Sequence, residues 1–221
     1  MGQYWKVVNF SKREYILPWT LGAGLKLNEQ LAEHPGTGAA LLVLCAAMPE
    51  PRGGGDFDIK QNWHGLNRQM SQEGISGPTP PGYAEVARRT IGRWAGDRIA
   101  LVGDDALRSA MPPEYNADVV YFLCNSVRGV QEKIQQLLNH AHEIVTLSSD
   151  QYEVRKSKAD TREELLRQAK LLDGELELRG PFMDVSADVA RVIEHELQGR
   201  FTGDGWRQWS SLVPVPVEGR A

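Results

Sequence analysis

The chain has 221 residues, a net charge of −4 and a hydrophobic fraction of 41%, which describes an ordinary globular protein large enough to bury a core. It has no basic block of the kind that DNA- and RNA-binding proteins carry, so we expect no nucleic-acid partner. Its most apolar run, residues 39–48, is about half as long as a membrane span, and no signal-peptide pattern opens the chain, so we expect neither insertion nor export.

The first predicted elements form a β-hairpin followed by two helices. Residues 4–10 alternate in polarity and predict a strand, and turn residues separate them from a second short apolar run at 15–19. Leucines at helical spacing predict a helix over 21–33. A second helix, over 37–48, is apolar on nearly all sides, so we expect it in the core.

Residues 49–82 differ in composition, because glycine and proline dominate both ends and nothing between them is periodic. A connection of this length is functional or mobile. Within it, Arg52, Gly54 and Asp56 belong to a glycine-rich stretch that offers backbone N–H groups and a guanidinium to an anion, or carboxylates to a cation. The Lys-Ser or Lys-Thr of a Walker loop is missing, so a flexible lid or a plain loop is the alternative.

A helix over 83–93 leads into a short apolar strand, 99–102, which we expect at the centre of a sheet. A second strand is predicted over 119–124, a helix over 127–141, and a third strand over 144–147. If these strands join one sheet, the succession makes a right-handed parallel crossover.

The last third of the chain is more polar. A capping box at 161–164 opens a helix that we expect to end near Gly174, and an edge strand is predicted over 175–179. Another amphipathic helix covers 186–198. Residues 214–221 belong to a tail whose alternating prolines favour a loose, extended chain.

These elements predict an α+β fold. We expect a single compact domain over residues 1–213, in which a mixed β-sheet is flanked by helices. The crossover unit keeps an α/β fold with parallel strands as the alternative.

Carboxylates surround the strand at 99–102. Asp104 follows it, at the end of a strand where α/β sheets bind ligands and where a carboxylate can hold magnesium. Asp97 and Arg98 precede it, after a turn that contains Trp94. The alternatives are that the aspartates solvate a loop and that the tryptophan covers one edge of the core.

The candidate ligand-binding residues share a position in the glycine-rich loop or beside this strand: Arg52, Gly54, Asp56, Trp94, Asp97, Arg98 and Asp104. Of these, Asp56, Asp97 and Asp104 are the candidate ligands of a divalent metal ion, and Arg52 and Arg98 are suited to neutralise an anionic substrate.

Four sequence motifs resemble those of a known protein family. They are MGQYWKVVN at the N-terminus, RGGGDF at 52–57, GRWAGDRI at 92–99 and VGD at 102–104. The chain resembles a family of uncharacterised proteins from actinobacteria and their phages, most strongly over residues 1–124. The resemblance implies a bacterial or phage cytoplasmic setting and assigns no catalytic residue. Where such relatives carry an aromatic residue after Gly-Asp, this chain has Asp105, which weakens a ligand role for that residue.

The sequence leaves two hypotheses of function. The first is a non-catalytic cytoplasmic binding or regulatory protein that holds a protein or a small anionic ligand, and the absence of a complete catalytic motif favours it. The second is a hydrolase or transferase that uses a divalent metal ion on a phosphate-containing substrate. Cys45 and Cys124 lie in apolar runs, which favours buried thiols in a reducing compartment. The ligand and the oligomeric state stay open.

Overall fold

The computed structural model describes residues 4–24, 26–32, 36–47, 82–105, 111–146 and 162–194. In this part of the chain the fold is α+β, which confirms the predicted class, and helices accompany one mixed four-stranded sheet. Most of the predicted loop over 49–82 and the whole of the predicted tail lie outside the described residues. No helix in the described ranges combines the length and the apolar composition that crossing a membrane requires.

The sheet consists of β1 (Trp5–Asn9), β2 (Glu14–Ile16), β3 (Ile99–Gly103) and β4 (Met183–Asp184), in the order β3-β1-β2-β4. Strand β1 pairs antiparallel with both β2 and β3, whereas β2 pairs in parallel with β4. The predicted hairpin is therefore confirmed. The prediction that β3 lies at the centre was wrong, because β1 and β2 occupy the two inner positions.

The helices are α1 (Leu27–Ala32), α2 (Gly36–Cys45), α3 (Tyr83–Thr90), α4 (Ala117–Leu123), α5 (Val127–Thr146), α6 (Arg162–Arg179) and α7 (Ser186–Ile193). Helices α2, α3, α5 and α7 confirm predictions, with differences at their ends. The predicted helix over 21–33 was wrong in its first half. A 3-10 turn at Pro18–Leu21 comes first, and the left-handed Gly22, with φ of 74°, separates it from α1.

The two strands predicted over 119–124 and 144–147 were wrong, since the first lies in α4 and Ile144 lies in α5. The predicted parallel crossover and the alternative of an α/β fold were therefore wrong as well. Asn116 explains the start of α4, because its side chain accepts a hydrogen bond from the backbone N–H of Asp118 at 3.0 Å, as an N-cap does. A short apolar run is ambiguous between strand and helix, and here the cap decides.

Helix α6 continues through Gly174 and ends before Gly180, so the edge strand predicted over 175–179 was also wrong. Gly180 has a φ of 68° and donates its N–H to the carbonyl of Leu176 at 2.9 Å. A left-handed glycine with such a bond is the usual end of a helix. Of the two glycines, only the second has the conformation that stops the helix.

The chain divides into two compact units, each built from separate stretches. Unit 1 comprises Met1–Trp19, Ala23–Glu33 and Asp97–Ser186, and unit 2 comprises Thr20–Gly22, His34–Gly96 and Ala187–Ala221. The single domain expected over residues 1–213 stays a prediction.

Unit 1 has its core between one face of the sheet and helices α4, α5 and α6. Because side chains alternate along a strand, Val8 and Phe10 point to the same face, and Val102 of the neighbouring strand joins them. These side chains pack with Val120 and Leu172 of the helices, all at most 3% exposed. A second apolar cluster joins α5 to α6.

Unit 2 has its described core in short helices and one turn. The described residues of this unit that are buried are Ala40, Val43, Leu44, Tyr83, Ala87, Thr90, Trp94, Val189, Val192 and Ile193, together with Gly36 and Thr37 at the start of α2 and Leu21. An exposed bidentate pair between Arg89 of α3 and Asp188 of α7 lies in the same unit, at 2.8 and 2.9 Å.

Candidate functional site

The seven candidate residues fall into three groups. Arg52, Gly54 and Asp56 lie outside the described residues. Trp94 belongs to unit 2, and the others, Asp97, Arg98 and Asp104, belong to unit 1.

Trp94 lies in the turn between α3 and β3 and is 1% exposed, so it does not line a surface where a ligand could dock. Its backbone N–H donates to the carbonyl of Leu44 at 2.7 Å, and that of Gly92 donates to the carbonyl of Val43 at 2.9 Å. The last carbonyls of a helix lack partners within the helix. The tryptophan turn therefore completes the C-terminal end of α2 and fills the core, which is the structural alternative considered for this residue.

Asp97 is part of a network that fixes the hairpin. Its carboxylate accepts hydrogen bonds from the ammonium of Lys12 and, at 2.7 Å, from the side-chain amide of Asn9. The amide oxygen of the fully buried Asn9 in turn accepts from the backbone N–H of Lys12 at 3.0 Å. The bonds from Lys12 and Asn9 hold the pKa of the Asp97 carboxyl below its usual range. Asp97 is thus ionised and already engaged by the protein.

Arg98 and Asp104 have partners within unit 1 as well. The Arg98 guanidinium forms an ion pair with Glu114, and both side chains are largely exposed. The exposed Asp104 carboxylate accepts the backbone N–H of Tyr4 at 3.1 Å, and its own N–H donates to the carbonyl of Tyr4 at 3.1 Å. Asp104 therefore continues the β1–β3 pairing past the end of the strand.

Asp97 and Asp104 lie at opposite ends of this strand pair. Asp97 bonds to Asn9, which pairs with Ile99, whereas Asp104 bonds to Tyr4 at the other end of β1. Seven residues of extended strand span about 23 Å. The two carboxylates therefore lie too far apart in this structure to ligate one metal ion together. Within the described ranges, no group of three or more His, Cys, Asp or Glu side chains is placed to hold a metal.

A cluster that the sequence reasoning missed surrounds Lys6, which is only 7% exposed. Its ammonium donates to the carbonyl of Cys124 at 2.5 Å and to that of Tyr121 at 3.4 Å. It also lies 4.4 Å from the ring centre of Tyr121 and 5.5 Å from that of Tyr15. A lysine that bonds the last carbonyls of a helix acts as its C-cap, and two aromatic faces add cation–π attraction. Lys6 thus fastens β1 to the end of α4.

The electrostatics of this cluster follow from burial. Burial lowers the pKa of Lys6, against the opposing influence of Cys124 and Asp184. The pKa of Tyr121 is raised to about 12, mainly by burial and next by the nearby Asp104 carboxylate. Burial also raises the pKa of the Cys124 thiol to about 12, so this cysteine is a protonated core residue near neutral pH.

The alternation of β1 carries the signal that could have found this cluster. Lys6 occupies a position on the same face as Val8 and Phe10, where an apolar residue is expected. A lysine at an inward position of a strand requires acceptors inside the protein. These acceptors are backbone carbonyls at the end of α4, and the one at Cys124 is 118 residues away from Lys6 along the chain.

The Cys124 thiol should make the folded protein less stable as the pH becomes alkaline. Its folded pKa, about 12, exceeds the ordinary value of 9.0, so the folded state holds the proton more tightly than the unfolded state. Its contribution is fully present below pH 9 and is lost as the pH rises toward 12. Between pH 8 and 10.5 the wild type should lose about 2 kcal/mol more unfolding free energy than Cys124→Ala, measured by urea denaturation. Equal losses in the two proteins would contradict this.

Comparison with known proteins gives no relative: no protein-family model, no curated protein and no solved structure matches the chain. The resemblance to actinobacterial and actinophage proteins therefore stays a prediction.

Proposed function

We propose that this is a non-catalytic binding protein of a bacterial or phage cytoplasm, with a protein as its partner. The observation that carries the proposal is the use of Asp97, Arg98 and Asp104 as structural links at the two ends of β3. Catalysis by a metal ion needs carboxylates that converge on one point. In the described residues these side chains instead connect the hairpin, the strand and the following loop.

Trp19 is the residue that we assign to the partner surface. Its side chain is 71% exposed at the 3-10 turn Pro18–Leu21. Tryptophan is the most enriched residue type among those that dominate binding energy at protein interfaces, because it buries a large area with few rotatable bonds. An exposed tryptophan on the turn that follows β2 therefore supports a binding role better than a role in folding.

The alternative is a metal-dependent hydrolase or transferase, and it now requires Asp104 or Asp97 to act separately. Either carboxylate would have to combine with residues from outside the described ranges, such as Asp56. It also requires the carboxylate to exchange its present hydrogen bond for the metal ion.

Two assays on the full chain separate these functions. In the first, isothermal titration calorimetry with Mg²⁺ and Mn²⁺ should give no binding heat, and para-nitrophenyl phosphate and ATP should not be hydrolysed. Metal-dependent turnover that disappears in Asp104→Ala would overturn the proposal, because that substitution removes the carboxylate and only one backbone contact.

In the second assay, immobilised wild type and Trp19→Ala are compared for proteins retained from a bacterial lysate. We expect a partner that wild type retains and Trp19→Ala loses by at least tenfold, which corresponds to about 1.4 kcal/mol. Leu178→Ala is the matched control, since this side chain is 73% exposed on α6 and should leave retention unchanged. Retention that is equal in all three proteins would remove Trp19 from the partner surface.

A further inference from the structure

Strand direction brings three separate segments of the chain to one end of the sheet. Strand β1 runs antiparallel to β2 and β3, so its start lies beside the ends of those two strands. Tyr4 precedes β1, Asp104 follows β3, and Trp19 lies three residues beyond β2. All three residues belong to unit 1. We call the surface that Tyr4, Trp19 and Asp104 define the Trp19 end of the sheet.

Two aromatic side chains of the Trp19 end are exposed. Tyr4 is 45% exposed and Trp19 is 71% exposed. The N–H of Ala23 donates to the carbonyl of Pro18 at 3.0 Å, and this bond closes the loop that carries Trp19. Asp104 accepts the N–H of Tyr4 and donates to its carbonyl, both at 3.1 Å. Both rings therefore extend from backbone that has hydrogen-bond partners, and both present apolar area to solvent.

Asp104 supplies a negative charge beside these rings. It is exposed, and within the described ranges its carboxylate bonds to the N–H of Tyr4 and to no lysine or arginine. The ammonium of Lys6, two residues from Tyr4, is buried and donates to carbonyls of α4 instead. The Asp104 carboxylate also helps to raise the pKa of Tyr121, as expected for a charge close to that phenol. This surface thus combines aromatic rings with a carboxylate.

The charges at the other end of β3 are already paired. Asp97 forms an ion pair with Lys12. Arg98 forms one with Glu114. Of the three charged candidates beside β3, only Asp104 lacks an opposite charge among the described residues. Covering a carboxylate that has no partner costs free energy, so a protein that binds over this surface has to bring a cation.

We propose that the Trp19 end is the partner surface, and that the partner presents a lysine or arginine side chain beside an apolar one. The cation meets the carboxylate of Asp104, and the apolar side chain packs on the ring of Trp19, with Tyr4 between the two contacts. This inference rests on the proposed protein-binding function and adds the chemistry of the partner.

The spacing of the strands sets the size of the partner segment. Strand β1 separates β2 from β3, so the strands that lead to Trp19 and Asp104 lie about 10 Å apart. An extended chain covers that distance in about three residues. One short segment with a basic and an apolar side chain at that spacing therefore reaches both contacts. An acidic segment is disfavoured, because Asp104 and the net charge of −4 repel it.

Panning of random decapeptides displayed on phage against the immobilised full chain tests the inference. We expect the enriched peptides to carry an arginine or lysine about three positions from an apolar residue. The most enriched peptide is then titrated by fluorescence anisotropy. Its Kd should rise about threefold to fivefold with Asp104→Asn, which removes the charge and keeps an oxygen for the N–H of Tyr4. Trp19→Ala should raise the Kd about tenfold.

Asp173→Asn is the matched control, since Asp173 is an exposed aspartate of α6, and it should leave the Kd unchanged. Raising the NaCl concentration from about 50 mM to about 500 mM should weaken peptide binding to wild type more than to Asp104→Asn, because salt screens the charge contact. Enriched peptides that need Trp19 but lack a basic residue, or that bind Asp104→Asn as tightly as wild type, would overturn the inference and leave the proposed function intact. Enrichment that is absent, or that does not need Trp19, would contradict both.

A charge exchange tests the contact with Asp104 directly. Asp104→Lys should bind the selected basic peptide at least tenfold more weakly than wild type, because like charges then meet. A peptide with glutamate in place of its basic residue should bind Asp104→Lys more tightly than wild type. Thermal melts first establish that Asp104→Lys folds, and Asp104→Asn with the salt series decides the contact if it does not. A glutamate peptide that gains nothing from Asp104→Lys would refute the contact.

Discussion

Trp94→Ala should lower the free energy of unfolding by about 3–5 kcal/mol, the cost of removing a large aromatic side chain from a packed interior. Trp94 is 1% exposed and is among the largest fully buried side chains of the described residues. Its truncation leaves a cavity beside the end of α2, where its backbone N–H bonds to Leu44. Urea denaturation followed by far-ultraviolet circular dichroism measures the change.

The matched control is Trp19→Ala, because this tryptophan is 71% exposed. Its unfolding free energy should remain within about 0.5 kcal/mol of wild type, as is usual for surface substitutions. The two variants thus separate folding from binding: Trp94→Ala loses stability, whereas Trp19→Ala keeps stability and loses the proposed partner. Similar losses of stability in both variants would contradict the burial described for Trp94.

Gly92→Ala should lower the free energy of unfolding by about 2–4 kcal/mol, since two effects add. Gly92 has a φ of 73°, which L-residues other than glycine rarely adopt. A Cβ atom there would also come within 2.6 Å of the carbonyl oxygen of Ala46, so backbone would have to move. The same denaturation experiment measures this loss.

Substitutions at two other glycines separate the backbone strain of Gly92→Ala from its clash with Ala46. Gly96 has a φ of 79°, but a Cβ atom added there would meet no described atom within 4 Å, so Gly96→Ala should cost only the strain, about 1–2 kcal/mol. Gly174 lies inside α6 with open space around it, and Gly174→Ala should stabilise by about 0.5–1 kcal/mol. If Gly92→Ala costs no more than Gly96→Ala, the predicted clash with Ala46 is absent.

The fold class could be predicted because hydrophobic periodicity marks long amphipathic helices and a hairpin directly. The errors arise where a helix cap or packing between distant segments overrides the propensity of a short run. Val119 and Val120 have strand propensity, yet the Asn116 cap and packing against α6 make them helical. Gly174 and Gly180 look alike in sequence, and only the second takes a left-handed conformation.

The candidate site was less predictable than the fold. The motif from Gly92 to Asp104 stood out in the sequence, but its spacing does not reveal whether a carboxylate meets a ligand or a backbone N–H of the same protein. Asp97 and Asp104 find their partners in β1 and the hairpin, about 100 residues earlier in the chain. Lys6 was missed because its acceptors are main-chain carbonyls, which every residue carries.

The strand order has a consequence for synthesis of the protein. The N-terminal hairpin is translated first, but Tyr4 meets Asp104 100 residues later, and Leu17 meets Ser186 169 residues later. At ~5–20 residues per second, a ribosome needs roughly 10–30 s to deliver that last partner. The β1 flank lacks its neighbour until β3 is made, and the β2 flank lacks its neighbour for the whole of that time, so the valines of the hairpin are open to misassociation. Efficient production in the cell should therefore depend on chaperones that bind the emerging chain.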